Sequence, residues 1–122
     1  MQSLPFRTTI IHVDNDESVV PVLHALADPT RVRVVEMLSV APRRAGELSE
    51  SLGVAPPAMS KHLRVLLRAG VVVDERHRED ARARVFRLRH ESVASVRAWL
   101  DQLQAHWDQQ LRAFRAHVER KG

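Results

Sequence analysis

Proline and glycine punctuate this chain unevenly, and the unevenness limits what it can fold into. After Pro5, every proline lies between positions 21 and 57, and from Ser92 onward neither residue occurs until Gly122. Proline breaks a helix interior because it lacks the N–H that bonds to the preceding turn and its ring clashes there. The first half must therefore be a series of short helices, whereas the end of the chain is free to form one long helix.

The apolar positions fill in this frame. Pro21 is tolerated only in a first turn, so the first helix begins near Glu17 or Ser18, with Val19, Val22, Leu23 and Leu26 on one face. Asp28-Pro29 is a restart signal, an N-cap followed by a proline at the first helical position. Val34, Val35 and Leu38 form the second buried stripe, and Pro42 ends that connection. A short third helix carries Leu48 and Leu52 and stops at Gly53. Pro56-Pro57 forces an extended turn, and a fourth helix starts at Pro57. Its Met59, Leu63, Leu66 and Leu67 fall at i, i+4, i+7 and i+8, with Gly70 as the stop.

A hairpin follows. Val71, Val72 and Val73 favour a strand, Arg78 to Ala81 make a polar tip, and Arg82 to Leu88 read as the return strand. Ser92 can cap a long helix over about 92–120, with Val96, Leu100, Leu103, Trp107, Leu111, Phe114 and Val118 spaced close to a coiled-coil seam. Ahead of all this, residues 1–16 form an N-terminal arm, extended over the largely β-branched stretch Thr8 to Val13. The 122 residues suffice for one core, so residues 17–122 are expected to form a single domain that is mainly α with a small β-hairpin wing.

Composition excludes several classes. With no cysteine there can be no disulfide, thiol switch or thiolate metal site. No apolar run approaches the roughly 20 residues of a membrane span, and no signal-peptide pattern opens the chain. A soluble, cytoplasmic protein is expected, with no membrane partner. The net charge is +4, yet residues 42–90 alone hold eleven Lys and Arg against six Asp and Glu. A genome that favours arginine codons would explain the abundance of arginine but not its concentration.

Two short helices joined by a tight turn and followed by a strand hairpin are the layout of a winged helix-turn-helix. The fourth helix is then the recognition helix. Burying Met59, Leu63 and Leu66 turns Lys61 and Arg64 outward, with Ser60 and His62 beside them as further donors for DNA. The hairpin carries Arg76, Arg78, Arg82 and Arg84, which can follow the phosphate backbone or enter the minor groove. The competing reading of the hairpin is an edge charged to prevent strand pairing. Glu79 and Asp80 at the tip weaken the DNA reading of the hairpin somewhat, but it remains the preferred one.

Three segments carry a family resemblance. Ala25-Leu-Ala-Asp-Pro-Thr-Arg31, Glu47-Leu-Ser-Glu-Ser-Leu-Gly-Val54 and Met59-Ser-Lys-His-Leu-Arg-Val-Leu66, in that order, resemble the arsenic-repressor (ArsR) family of bacterial regulators over about residues 18–118. The tail Ala98-Trp-Leu-Asp101 through Trp107 to Leu111 is similar to a subgroup with an extended last helix. The resemblance implies a DNA-binding regulator, more often a repressor, that meets a palindromic operator as a homodimer. It also implies that the first and last helices form the dimer interface. Here that points to Leu23, Val96, Trp99, Leu100, Leu103, Trp107, Leu111 and Phe114.

The chain departs from the family twice. The opening of the recognition helix is usually rich in Ser, Gln and Thr, and here it is Ala55-Pro-Pro-Ala58. Family metal sensors place cysteines at positions matching Arg44 and Gly46, a site this chain cannot form. A second family site on the last helix would need ligands flanking His106 and His117. Those flanking positions hold Gln104 and Arg120; in the other register the four positions are His90, Ser92, Leu103 and His106. Either register offers at most two plausible ligands, whereas zinc normally takes four. No metal and no cofactor is expected, and the effector is left open. The alternative function is a winged-helix protein-interaction adaptor that does not read DNA. No nucleophile–base pair, carboxylate pair or phosphate loop suggests an enzyme.

Overall fold

A computed structural model describes residues 16–76 and 84–121. The elements run α1 (Asp16–Leu26), α2 (Pro29–Val40), β1 (Arg43–Arg44), α3 (Ala45–Leu52), α4 (Pro56–Arg68), β2 (Val72–Arg76), β3 (Arg84–Leu88) and α5 (His90–Lys121). The arm, apart from Asp16, lies outside the described residues, as do the expected wing tip Arg78 to Ala81 and Arg82.

Helix ends fall where local chemistry puts them. Asp28 is extended and accepts a hydrogen bond from the Arg31 backbone N–H at 3.0 Å, with Pro29 opening α2. Gly53 ends α3 at φ 65°, a left-handed conformation that glycine adopts without steric cost. Gly70 does the same after α4 at φ 76°. Glu47 accepts from the Arg44 N–H at 2.8 Å and so satisfies a donor at the start of α3.

The sheet has three antiparallel strands in the order β1-β3-β2. β1 is an addition to the expected hairpin: Arg43 pairs with Phe86 and Arg44 with Val85, which makes β3 the central strand. The long helix also starts two residues earlier than expected. Ser92 lies inside α5 rather than capping it, and its hydroxyl donates to the Gly70 carbonyl. That bond, with Arg89 N–H to Val71 O at 2.8 Å, fastens the root of α5 to the end of α4.

One core holds these pieces together. Val22 and Ala25 of α1, Val34 and Leu38 of α2, Leu48 of α3, and Met59, Leu63 and Leu66 of α4 meet Val71, Val72, Phe86 and Leu88. Val34, Leu48, Met59 and Leu66 are fully buried. Three helices, α1, α2 and α3, pack on α4 from the inside, and β2 closes against it. The recognition helix of the sequence argument is thus clamped on one face and open on the other.

Two measurements check this arrangement. Leu66→Ala should cost about 2–5 kcal/mol in urea denaturation, because it leaves a cavity in a fully packed site. Leu67→Ala, half-buried one residue on, should cost clearly less; equal losses would contradict the assigned face of α4. The second check concerns the α2 cap. The Arg31 N–H, and then the Arg31 guanidinium, hold the Asp28 carboxyl below the usual carboxylate range. A carboxyl lowered in the folded state stabilises it above the unfolded value, and that contribution disappears as pH falls through the folded value. Asp28→Asn keeps a capping oxygen without the charge, so the wild-type advantage over it should shrink on acidification. An advantage independent of pH would contradict an ionised cap.

Candidate nucleic-acid interface

The exposed side of α4 is built by its own amphipathicity. With Met59, Leu63 and Leu66 buried, Ser60, Lys61, Arg64 and Arg68 are exposed. No ion pair forms at Lys61, Arg64 or Arg68 among the described residues. These cations are therefore available to an external partner.

The opening of α4 has an uncommon property. Ala55 is its N-cap and offers no side-chain hydrogen bond, and Pro56 and Pro57 occupy the first turn. Neither proline has an N–H, so two donors that a helix N-terminus ordinarily presents to a phosphate are missing. The helix start keeps only the Ala55 and Ala58 N–H groups without an intrahelical partner, and the side chains of this face supply its other donors.

Beside α4 lies an open groove of about 710 Å³, lined by Arg44, Glu47, Ser60, Arg64, Leu67, Arg84 and Phe86 among others. It runs between the start of α3, the outer flank of α4 and the central strand β3. Arg44, on β1, was not among the residues singled out from sequence. The signal was present in the Arg43-Arg44 pair at the edge of the basic segment, but nothing local showed that β1 would bring it beside Arg64.

The wing modifies the charge argument. Arg84 donates to Asp74 across the hairpin through both Nε and a terminal nitrogen, and its guanidinium lies 5.2 Å from the Phe86 ring centroid. Arg87 bonds Glu75 at 2.9 Å. These pairs are exposed and hold the strands in register, and they partly neutralise the wing's positive charge. Arg76 is exposed at the end of β2. Arg78 and Arg82 lie outside the described residues.

His62 differs most from the sequence picture. Its side chain is only 22% exposed, and its Nδ1 lies 3.3 Å from an Arg31 terminal nitrogen and 3.9 Å from Asp28 Oδ2. The structure draws it toward the start of α2, while Ser60, Lys61 and Arg64 stay on the open face.

The expected interface helix is largely uncovered. Val96 packs against the core and Trp99 and Leu103 are half-buried. Leu23 borders on exposed, Leu100 and Leu111 are about half exposed, and Trp107 and Phe114 are 60% and 67% exposed. Leu100, Leu103 and Trp107 also line a shallow apolar depression with Asp101 and Gln104. No helix among the described residues is long and apolar enough to cross a membrane.

Comparison with known proteins agrees with this geometry. Residues 28–73, from the α2 cap into β2, match the family described as bacterial regulatory protein, arsR family. The chain is 37% identical over 98 residues to the HTH-type transcriptional regulator Rv2034 of Mycobacterium tuberculosis, covering 80% of this chain and 86% of that one. It is 38% identical over 74 residues to the HTH-type transcriptional repressor SmtB of the same species, covering 61% of this chain and 53% of the relative. Among solved structures, an ArsR-like transcriptional regulator from Rhodococcus sp. RHA1 superposes with a TM-score of 0.76 at 26% identity, covering 85% of this chain and 95% of that one. Motif order, winged-helix topology and similarity along most of the chain agree: this protein belongs to the ArsR family of winged helix-turn-helix transcriptional regulators.

Proposed function

We propose that the chain is a cytoplasmic repressor that binds a palindromic DNA operator as a homodimer. The observation that carries the DNA reading is the open face of α4, where Ser60, Lys61 and Arg64 stand free beside a groove walled by Arg44 and Arg84. A helix held from behind by a core, with cations on its front, has the geometry that enters a major groove. In this reading Lys61 supplies donors to base edges, His62 adds a donor from the flank of α4 that faces α2, and Ser60 and Arg64 bind nearby phosphates. Arg76, Arg78, Arg82 and Arg84 of the wing, with Arg44 opposite, follow the backbone. The repressor assignment is supported by the name of the SmtB relative.

The dimer reading rests on α5. Its 32 residues extend about 48 Å, whereas the 11 residues of α1 extend about 16 Å, at 1.5 Å per residue. α1 packs on α5 but is too short to cover the stripe from Leu100 to Val118. A second copy of α5, with Leu23 and Trp99 at its margins, is the partner of matching chemistry. Residues 17–122 then form the regulatory domain, α5 joins two copies, and each copy reads half an operator.

Two experiments test these readings. A dimer that touches about eight phosphates should lose affinity with rising salt at a log–log slope near −7, roughly 0.9 per phosphate. Lys61→Ala should relax sequence preference, at about 1–3 kcal/mol for a good base contact, and Arg44→Ala should weaken all sequences alike. A slope near zero would favour the adaptor reading, to which the exposed Ala55-Pro-Pro-Ala58 opening lends some support. For the dimer, Leu111→Asp is informative because Leu111 is about half exposed in the single chain. The variant should sediment as a monomer, keep the cooperative unfolding of the core, and lose no more helical circular dichroism than the outer half of α5 carries. A wild-type chain that is monomeric at micromolar concentration would refute the dimer.

A further inference from the structure

Arg31 joins three helices through one side chain. Its Nε donates to the Ala25 carbonyl at 2.6 Å, in the last turn of α1 where helical carbonyls lack partners. Its backbone N–H belongs to the Asp28 cap of α2. A terminal guanidinium nitrogen lies 3.3 Å from Nδ1 of His62 on α4. Arginine has five N–H donors and no acceptor, and it remains protonated in proteins. A hydrogen bond from Arg31 to Nδ1 therefore requires a lone pair on Nδ1. In a neutral imidazole the proton is then on Nε2.

We infer that Arg31 is a positioning residue for DNA binding: it fixes His62 as the Nε2–H tautomer, so that the ring meets DNA as a hydrogen-bond donor. This rests on the DNA reading above. Phosphate oxygens and the N7 and O6 atoms of guanine are all acceptors, so a donor nitrogen suits either, and the opposite tautomer would present a lone pair to a lone pair. The partial exposure of His62, 22% of its side chain, leaves the ring within reach of a ligand while Arg31 holds its other nitrogen. The missing N–H groups of Pro56 and Pro57 add weight to a side-chain donor on this helix.

The first test needs no substitution. Nitrogen-15 NMR of the wild-type chain above the histidine titration should show a protonated Nε2 and an unprotonated Nδ1 at His62. The reverse tautomer would overturn the inference. The second is a double-mutant cycle on duplexes selected by the wild-type chain from a randomised library, with an unrelated duplex as control. His62→Ala should lower affinity about tenfold per bound copy. Arg31→Met should lower it by a smaller but measurable factor, because an untethered neutral imidazole still populates the Nε2–H form. The double variant should lose no more than His62→Ala alone. A loss shared by the selected and control duplexes would place the acceptor on phosphate. A loss confined to the selected duplexes would place it on a base. If Arg31→Met weakened binding as much in the His62→Ala background, Arg31 would act only as a structural brace and the inference would fail. Unchanged affinity in Arg31→Met would overturn it while leaving DNA binding intact. Absence of salt-dependent binding by the wild-type chain would reject the DNA reading itself, and this inference with it.

Discussion

The packing of one face of α4 is the constraint on which the rest depends. Met59, Leu63 and Leu66 recur at helical spacing and are buried against α1, α2, α3 and β2. Burying three such side chains contributes about 1.5–3 kcal/mol each relative to exposure, far more than any single surface ion pair here. That burial fixes the rotation of α4 about its axis. Lys61 and Arg64 are exposed as a geometric consequence, because 100° per residue carries them off the apolar stripe. The core thereby sets which side chains of α4 face outward.

Much of this could be read from the chain because the controlling signals are local. Asp28-Pro29, Gly53 and Gly70 act within a turn of themselves, so the helix boundaries fall within a residue or two of expectation. What sequence left hidden depends on distant partners. β1 is two arginines with no alternation to mark it as a strand, and it exists because Phe86 and Val85 offer free backbone groups. Ser92 looked like a cap by local rule, but its hydroxyl is used across the fold on Gly70. His62 lies on the flank of α4 by spacing alone, and its partner Arg31 is thirty-one positions away. The seam of α5 was legible as apolar, but periodicity does not say whether a stripe is covered by its own chain.

Charge counts likewise needed the fold. The positive excess of residues 42–90 treats every arginine alike. The structure separates them: Arg84 and Arg87 are engaged with Asp74 and Glu75, whereas Lys61, Arg64 and Arg44 form no ion pair among the described residues. Among the described residues the cations without an ion pair thus include Arg44, Lys61 and Arg64 around α4 and Arg76 at the end of β2. The described strands β2 and β3 carry two cross-strand ion pairs, Arg84–Asp74 and Arg87–Glu75, in addition to their backbone ladder.

The same separation of roles extends along α5. Its root is part of the core, through Val96 and through the Ser92 and Arg89 bonds to the loop after α4. Its outer half is a rod with apolar residues on display, from Leu100 to Val118. A helix this long does not sit stably in water on propensity alone, because most helical stability in proteins comes from packing an amphipathic face. The root supplies a fixed direction, and the outer half supplies an unpaired face. In the proposed homodimer, because that root is fastened at Gly70, just past the end of α4, the packing of one α5 on the other would also set the orientation of one α4 relative to the other. Spacing between two recognition helices is what a palindromic site measures, so in that proposed arrangement the packing of α5 would bear on sequence reading from a part of the molecule that need touch no DNA.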